Sequence, residues 1–320
     1  MNKGQLDLTG GARPSLFENE RDDLFVCCAS FEDRSLTAVR CLHKSYFASR
    51  GLVYVNAEFA KMHNTTRSHL YAMIAGLAVR SERIEVSEGS LFDVRLQLEA
   101  LKTGLSLLQD SDIAYRTVTI DATTFNRESL LLLCGLLSSG ETRPAIRVLY
   151  TSPMRHGDWL SRGVRKVRNV IGFAGTRDPQ LPTALVMLSG FEGERALKII
   201  EEHEPAKLYV GVGDPPTSDE FLSRNVSEQH LVLSRQDVER FYFPANDIDG
   251  AYKSISSIIT RCEGVFNVVI APMSTKLSTL AVLRVAVERP EVQVTYCVPG
   301  EYNTVDYSVG ERRLFVDQLF

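Results

Sequence analysis

The sequence predicts an α/β protein of two tandem Rossmann-like parallel-sheet lobes derived from an internal duplication. Three observations carry this. Short runs rich in Val, Ile, Leu and Tyr recur without polar alternation, as strands covered on both faces require. Stretches with helical spacing, long enough for crossovers, separate them. The order also repeats: Leu24-Phe25-Val26-Cys27-Cys28-Ala29-Ser30-Phe31-Glu32-Asp33-Arg34 is echoed by Ala184-Leu185-Val186-Met187-Leu188-Ser189-Gly190-Phe191-Glu192-Gly193-Glu194-Arg195, an apolar run closing in a small polar turn with Phe-Glu.

Residues 1–23, with Gly10-Gly11 and Pro14, read as an irregular segment or small flap. The first lobe, residues 24–153, follows with strand signals at 24–29, 52–55, 83–86, 118–121 and 148–150. Its helices are expected at 36–47, 68–79, 91–108 and 127–137. In the third of these Leu91, Val94, Leu98, Leu101, Leu105 and Leu108 fall three and four apart and make one apolar face. Residues 154–183 read as a linker: glycines, Pro179 and Pro182 interrupt structure, and Arg162, Arg165, Lys166 and Arg168 suggest a short basic helix. The second lobe, residues 184–320, repeats the grammar with strand signals at 184–188, 208–210, 240–243, 268–271 and 294–296. Helices are expected at 195–202, 219–225, 248–262 and 277–289. Its tail ends in Leu314, Phe315, Val316, Leu319 and Phe320, apolar enough to pack on the body.

The composition, 44% hydrophobic and 24% charged over 320 residues, is that of a globular protein. A net charge of −4 excludes a whole-molecule field that would attract nucleic acid, although a local basic patch remains open. No apolar run approaches the roughly 20 residues of a membrane span, and the amino terminus lacks a signal-peptide pattern. The six cysteines form no Cys-x-x-Cys pair, which suits buried thiols and a cytoplasmic location.

In a parallel sheet, ligands gather at the carboxyl ends of strands, where helix amino termini present N–H groups to anions. The first strand-end loops lack Gly-x-Gly-x-x-Gly, so no nicotinamide or flavin cofactor is expected. Glu32 and Glu192 suit a ribose contact or a base, and Arg34 and Arg195 suit a phosphate or an ion pair with those acids. The alternative is capping of a helix dipole. The fourth-strand loops carry Asp121, Thr123, Thr124 and Arg127 in the first lobe and Ser274, Thr275 and Lys276 in the second, hydroxyls with one cation at a helix start. Asn56 and Glu58 end the second strand, and Tyr302, past the fifth, can stack on a base. Arg155, His156, Arg162, Arg165, Lys166 and Arg168 suit phosphates or a nucleic-acid partner, or else a solvated helix face. His63, His69 and Asp121 make no metal pattern, and no Ser/His/Asp nucleophile elbow is present.

Asp121 and Thr123, with Ser274-Thr275-Lys276, resemble the Asp-x-Thr-x-Gly-Thr-Lys type loop that ends the fourth strand in CRISPR-associated Rossmann-fold (CARF) sensor domains and the related SAVED domains of antiviral signalling. The chain departs from that pattern by lacking the glycines and by dividing the motif between its halves. The resemblance implies a regulatory pocket, and with it a nucleotide-sensing or partner-binding subunit, a sensor ahead of an enzyme, in a prokaryotic antiviral defence or signalling system. It further implies a cyclic or linear oligonucleotide ligand held at strand-end loops between two lobes, and an effector protein or a second copy of the chain as partner. Two other readings stay open: an enzyme on nucleotides or nucleosides, a glycosidic hydrolase or transferase using Glu32, Glu58 or Asp121, and a structural subunit of an effector complex.

Overall fold

The computed structural model describes residues 3–11, 13–109, 114–214 and 219–320, the side chains of residues 219 and 220 excepted. Two units emerge, residues 1–157 with 304–320 and residues 158–303.

The first unit opens with strand β1 (Gly4–Asp7) and continues through β2 (Arg21–Ala29), β3 (Phe47–Asn56), β4 (Ser81–Gly89), β5 (Thr117–Asp121), β6 (Ala145–Ser152) and the short β7 (Arg155–His156). Its helices are α1 (Thr37–Cys41), which follows a 3-10 turn at Asp33–Leu36, α2 (Ala57–Met62), α3 (Asn64–Ala78), α4 (Val94–Leu108) and α5 (Arg127–Ser138). The second unit holds β8 (Ser161–Asn169), β9 (Thr183–Leu188), β10 (Lys207–Gly213), β11 (Val238–Phe243), β12 (Asn267–Pro272) and β13 (Gln293–Tyr302). Its helices are α6 (Gly193–His203), α7 (Asp219–Glu228), α8 (His230–Leu233), α9 (Ile248–Cys262) and α10 (Lys276–Glu288). The chain then returns to the first unit as β14 (Ser308–Val309) and β15 (Arg313–Gln318).

The two sheets share one strand order. Counting the five parallel strands of each unit from its first, both run 3-2-1-4-5: β4-β3-β2-β5-β6 and β11-β10-β9-β12-β13. This is the doubly wound arrangement the repeated sequence predicts. Beyond its fifth strand each sheet adds an antiparallel strand from another part of the chain, β15 on β6 in the first unit, with β1 on β15 beyond it, and β8 on β13 in the second.

The interior strands are buried along their length because helices cover both faces. In the first unit Cys27, Val53 and Val55 meet Val39 of α1 and Met73 and Leu77 of α3. In the second, Leu185, Met187 and Val210 meet Ala196, Ile199 and Ile200 of α6 and Val232 and Leu233 of α8. Polar side chains start four of the helices by accepting backbone N–H bonds: Asp93 for α4, Asn126 for α5, Asp247 for α9 and Thr275 for α10.

Four expectations are corrected. The basic stretch at Arg162–Arg168 is a strand, because its backbone completes the edge of a sheet by pairing with β13. Residues 154–183 are therefore partly sheet and not a separate linker. The tail assigned to the second lobe instead pairs with β6, so residues 304–320 belong to the first unit. The amino-terminal segment is not wholly irregular: β1 pairs with β15, and Leu16 and Phe17 sit fully buried in the first core. Finally, the helix expected over 36–47 stops at Cys41, where Leu42 turns extended and bridges to Leu16.

Candidate ligand site at the strand ends

The strand order reverses between β2 and β5 in the first unit and between β9 and β12 in the second, and the loops after these strands carry most of the candidate residues.

The first-strand loops build the same cluster twice. In the first unit the Arg34 guanidinium reaches Glu32 Oε2 at 2.5 Å, the Thr151 carbonyl at 2.5 Å and Ser308 Oγ at 3.1 Å, and Ser308 in turn donates to Glu32. In the second, Arg195 donates to Glu192 Oε2 at 2.7 Å, to the Cys297 carbonyl and to Ser161 Oγ at 3.4 Å, and Ser161 donates to Glu192. Thr151 lies on β6 and Cys297 on β13, so each arginine caps the fifth strand of its own sheet. Both arginines are 4% exposed. Burial pulls each guanidinium down, but the adjacent glutamate outweighs it and the net shift is upward, so the pairs stay charged. The structure thus brings Glu32 with Arg34 and Glu192 with Arg195, and engages them within each lobe. Ser161 and Ser308 complete the clusters, and sequence reasoning missed both. They lie far from the glutamates along the chain, and no local pattern marks them.

The fourth-strand loops are also alike. Asn126 caps α5 by accepting from Ser129 N at 2.7 Å, and Thr275 caps α10 by accepting from Ser278 N at 3.1 Å. Arg127 and Lys276 are the first helical residues after these caps, and both are half-buried. Of the hydroxyls read as a phosphate cradle, Thr123 donates to Asp121 Oδ1 at 2.5 Å and accepts from Thr151 N, Thr124 donates to the Cys28 carbonyl, and Thr275 donates to the Ala245 carbonyl. Ser274 stays half-buried beside Lys276. Asp121 is 1% exposed, and burial pushes its carboxyl up to about 7 against the opposing pull of Thr123 and Arg34.

Phe125 stacks on Tyr54 at 5.5 Å in the first unit. In the second, Gly190 lies so close to Met273 that a Cβ would stand 2.1 Å from the Met273 carbonyl oxygen, while Asn225 and Gln229 both donate to the Gly190 carbonyl.

The remaining candidates lie on other segments, Tyr302 beside the Arg195 cluster and Arg155 on the strand that pairs with the Ser308 segment. Glu58 braces the turn after β4, accepting from Ser90 Oγ and Leu91 N at 2.7 Å each. The Tyr302 hydroxyl stands 3.4 Å from that of Tyr296. Arg155 pairs with Asp306 at 3.3 Å. A Ser35, His69 and Asp33 contact that the sequence did not suggest resembles a catalytic triad. His69 Nδ1, however, meets the Ser30 carbonyl at 2.8 Å, which requires it to donate, so it cannot take a proton from Ser35 at 3.3 Å. Among the described residues no group of three or more His, Cys, Asp or Glu is placed to hold a metal, and no helix is long and apolar enough to cross a membrane.

No family model and no curated protein matches the chain. Among solved structures, a Type III CRISPR defence DNA nuclease activated by cyclic oligoadenylate aligns over 88% of this chain and 67% of its own, at 8% identity and a TM-score of 0.49. An N-terminal ketoreductase from a macrolactin assembly line aligns over 91% and 72%, at 7% identity and a TM-score of 0.24. Likenesses of this strength say nothing about what the chain binds or does.

Proposed function

We propose that the chain is a nucleotide-sensing or partner-binding subunit of a prokaryotic antiviral defence or signalling system, with ligand phosphates held where the fourth-strand helices begin. The observation that supports this best is the paired placement of Arg127 and Lys276. Each follows the capping residue of a helix of three turns or more, at the sheet edge where an α/β fold receives ligands. An anion there meets a positive helix end and one side-chain cation, so it needs no strongly basic protein. In this reading Glu32, Arg34, Glu192 and Arg195 hold the loops in shape, while Ser274 and Tyr302 flank the ligand. A cyclic or linear oligonucleotide is the ligand class, and an effector protein or a second copy of the chain is the partner.

Native mass spectrometry of the purified protein identifies any retained nucleotide, and isothermal titration of cyclic and linear oligonucleotides follows. Lys276→Ala should weaken binding by about 1.5–3 kcal/mol, as for a hydrogen bond to a charged group, with the thermal midpoint unchanged. Equal affinities, or a midpoint that collapses, would refute the reading.

One observation favours an enzyme instead: a buried carboxyl held near neutrality, as Asp121 is, suits general acid–base work on a nucleotide. Release of free base from nucleosides by the wild type and not by Asp121→Asn would establish it.

A further inference from the structure

The sensor role leaves unused the basic stretch of the second lobe, which the fold turns into an edge strand. We propose that the outer edge of β8 binds single-stranded nucleic acid, with phosphates at Arg162, Arg165, Lys166 and Arg168 and a base against Trp159. This is independent of the reading above.

Four of the seven residues from Arg162 to Arg168 are cationic, on a chain whose net charge is −4, so the positive charge is concentrated and not general. The strand is the last of its sheet, hydrogen-bonded to β13 on one side only, and Arg162, Arg165 and Lys166 are exposed. The register explains how cations and apolar residues share so short a segment. Lys166 pairs with Val298 and Val164 with Pro299, which leaves Arg165 as the extra residue of a bulge. The bulge lets Val164 and Val167, three apart, both pack on the core. It also aims Arg165 outward, with its Nε 3.3 Å from the Gly300 carbonyl. Lys166 and Arg168, two apart on the face away from the core, stand about 6.6 Å apart, a spacing an extended sugar–phosphate backbone can follow, with Arg165 projecting beside them from the bulge and Arg162 at the Trp159 end. A single lysine is enough to protect an edge from pairing, and four cations exceed that need.

The second feature is aromatic. Trp159, the one tryptophan of the chain, is half-buried just before the strand, and the Arg162 guanidinium lies 4.2 Å from its ring centroid. Asn303 fixes it by donating to the Trp159 carbonyl at 2.9 Å. A cation beside an aromatic face at one end of a basic track is the combination that holds a stacked base and its phosphate. The acids at that end are Glu301, paired in register with Arg162, Glu194, which accepts from Gly163 N at 3.1 Å, Glu192, engaged by Ser161 and Arg195, and Asp158, next to Trp159 in the chain.

The test uses the full chain with fluorescently labelled 20-nucleotide oligo-dT and oligo-U, read by anisotropy from 50 to 200 mM salt, and with Trp159 emission followed in parallel on unlabelled strands. Binding of either strand is expected, with Trp159 quenched and a log–log salt slope of about −0.7 for each phosphate neutralised. Arg165→Glu with Lys166→Glu should lower the affinity at least tenfold, and the milder pair Arg165→Gln with Lys166→Gln about threefold, with unchanged circular dichroism and thermal midpoint. No binding at 50 mM salt, equal affinity in both double variants, or a preference for a 20-base-pair duplex overturns the proposal.

Discussion

Replacing Asp121 by asparagine should remove a pH dependence from the stability of the first lobe. The Asp121 carboxyl is pushed up to about 7 by burial, against about 3.9 for an exposed aspartate. Between those two values the folded chain holds a proton that the unfolded chain has lost. Stability is therefore greatest below the unfolded pKa and falls as pH rises through about 7. At about 1.4 kcal/mol for each pH unit crossed, the wild type should lose roughly 2.5 kcal/mol from this group between pH 5 and pH 8. Asparagine resembles the protonated acid in shape and still accepts from Thr123, so the variant should lack this loss while keeping the fold. Urea midpoints by far-ultraviolet circular dichroism at pH 5, 6, 7 and 8 measure it, with Trp159 fluorescence reporting the second lobe as an internal control. Other groups titrate in the same range, so the decisive quantity is the difference between variant and wild type. If that difference does not change with pH, Asp121 is not held neutral and the argument from its burial fails.

Arg195→Met should destabilise the second lobe by about 3–5 kcal/mol, because it leaves the buried Glu192 charge without its partner. Urea unfolding followed by Trp159 fluorescence reads this, and Glu192→Ala added to Arg195→Met should recover part of the loss. Gly190→Ala should cost about 1–3 kcal/mol by forcing a Cβ against the Met273 carbonyl, seen as a lowered thermal midpoint with native secondary structure. All six cysteines are buried and free, and burial pushes Cys41 up to about 11. A thiol-titrating disulfide reagent should therefore leave them unmodified in the native protein and label all six in urea; rapid labelling of any one in the native state would contradict its burial.

Strand content and repeat were legible because strands buried on both faces read as continuous apolar runs, and the two halves use the same order of them. Helix α9 was read to the residue, since Asp247 caps it and Ile248, Ala251, Ile255, Ile258, Ile259 and Cys262 line one face. Strand β8 was not legible: the bulge at Arg165 breaks the period of two, and Val164 and Val167 then fall at helical spacing. The tail read correctly as packed, but strand pairing is decided by backbone bonds that leave no mark on composition, so its partner β6 was out of reach. At the site, the repeated Glu and Arg were visible, whereas the two serines and two carbonyls that engage them come from remote segments.

The return of β14 to β7 and of β15 to the first sheet makes the second lobe an insertion within the first. A ribosome releases residues 158–303 before it releases the strand that lies between β1 and β6. The inserted lobe, whose own six strands are contiguous in sequence, can therefore complete its sheet during synthesis, while the lobe begun first must wait for β15. Until then β6 exposes an unpaired edge, so the segment that carries β15 governs how long that edge stays open in the nascent chain.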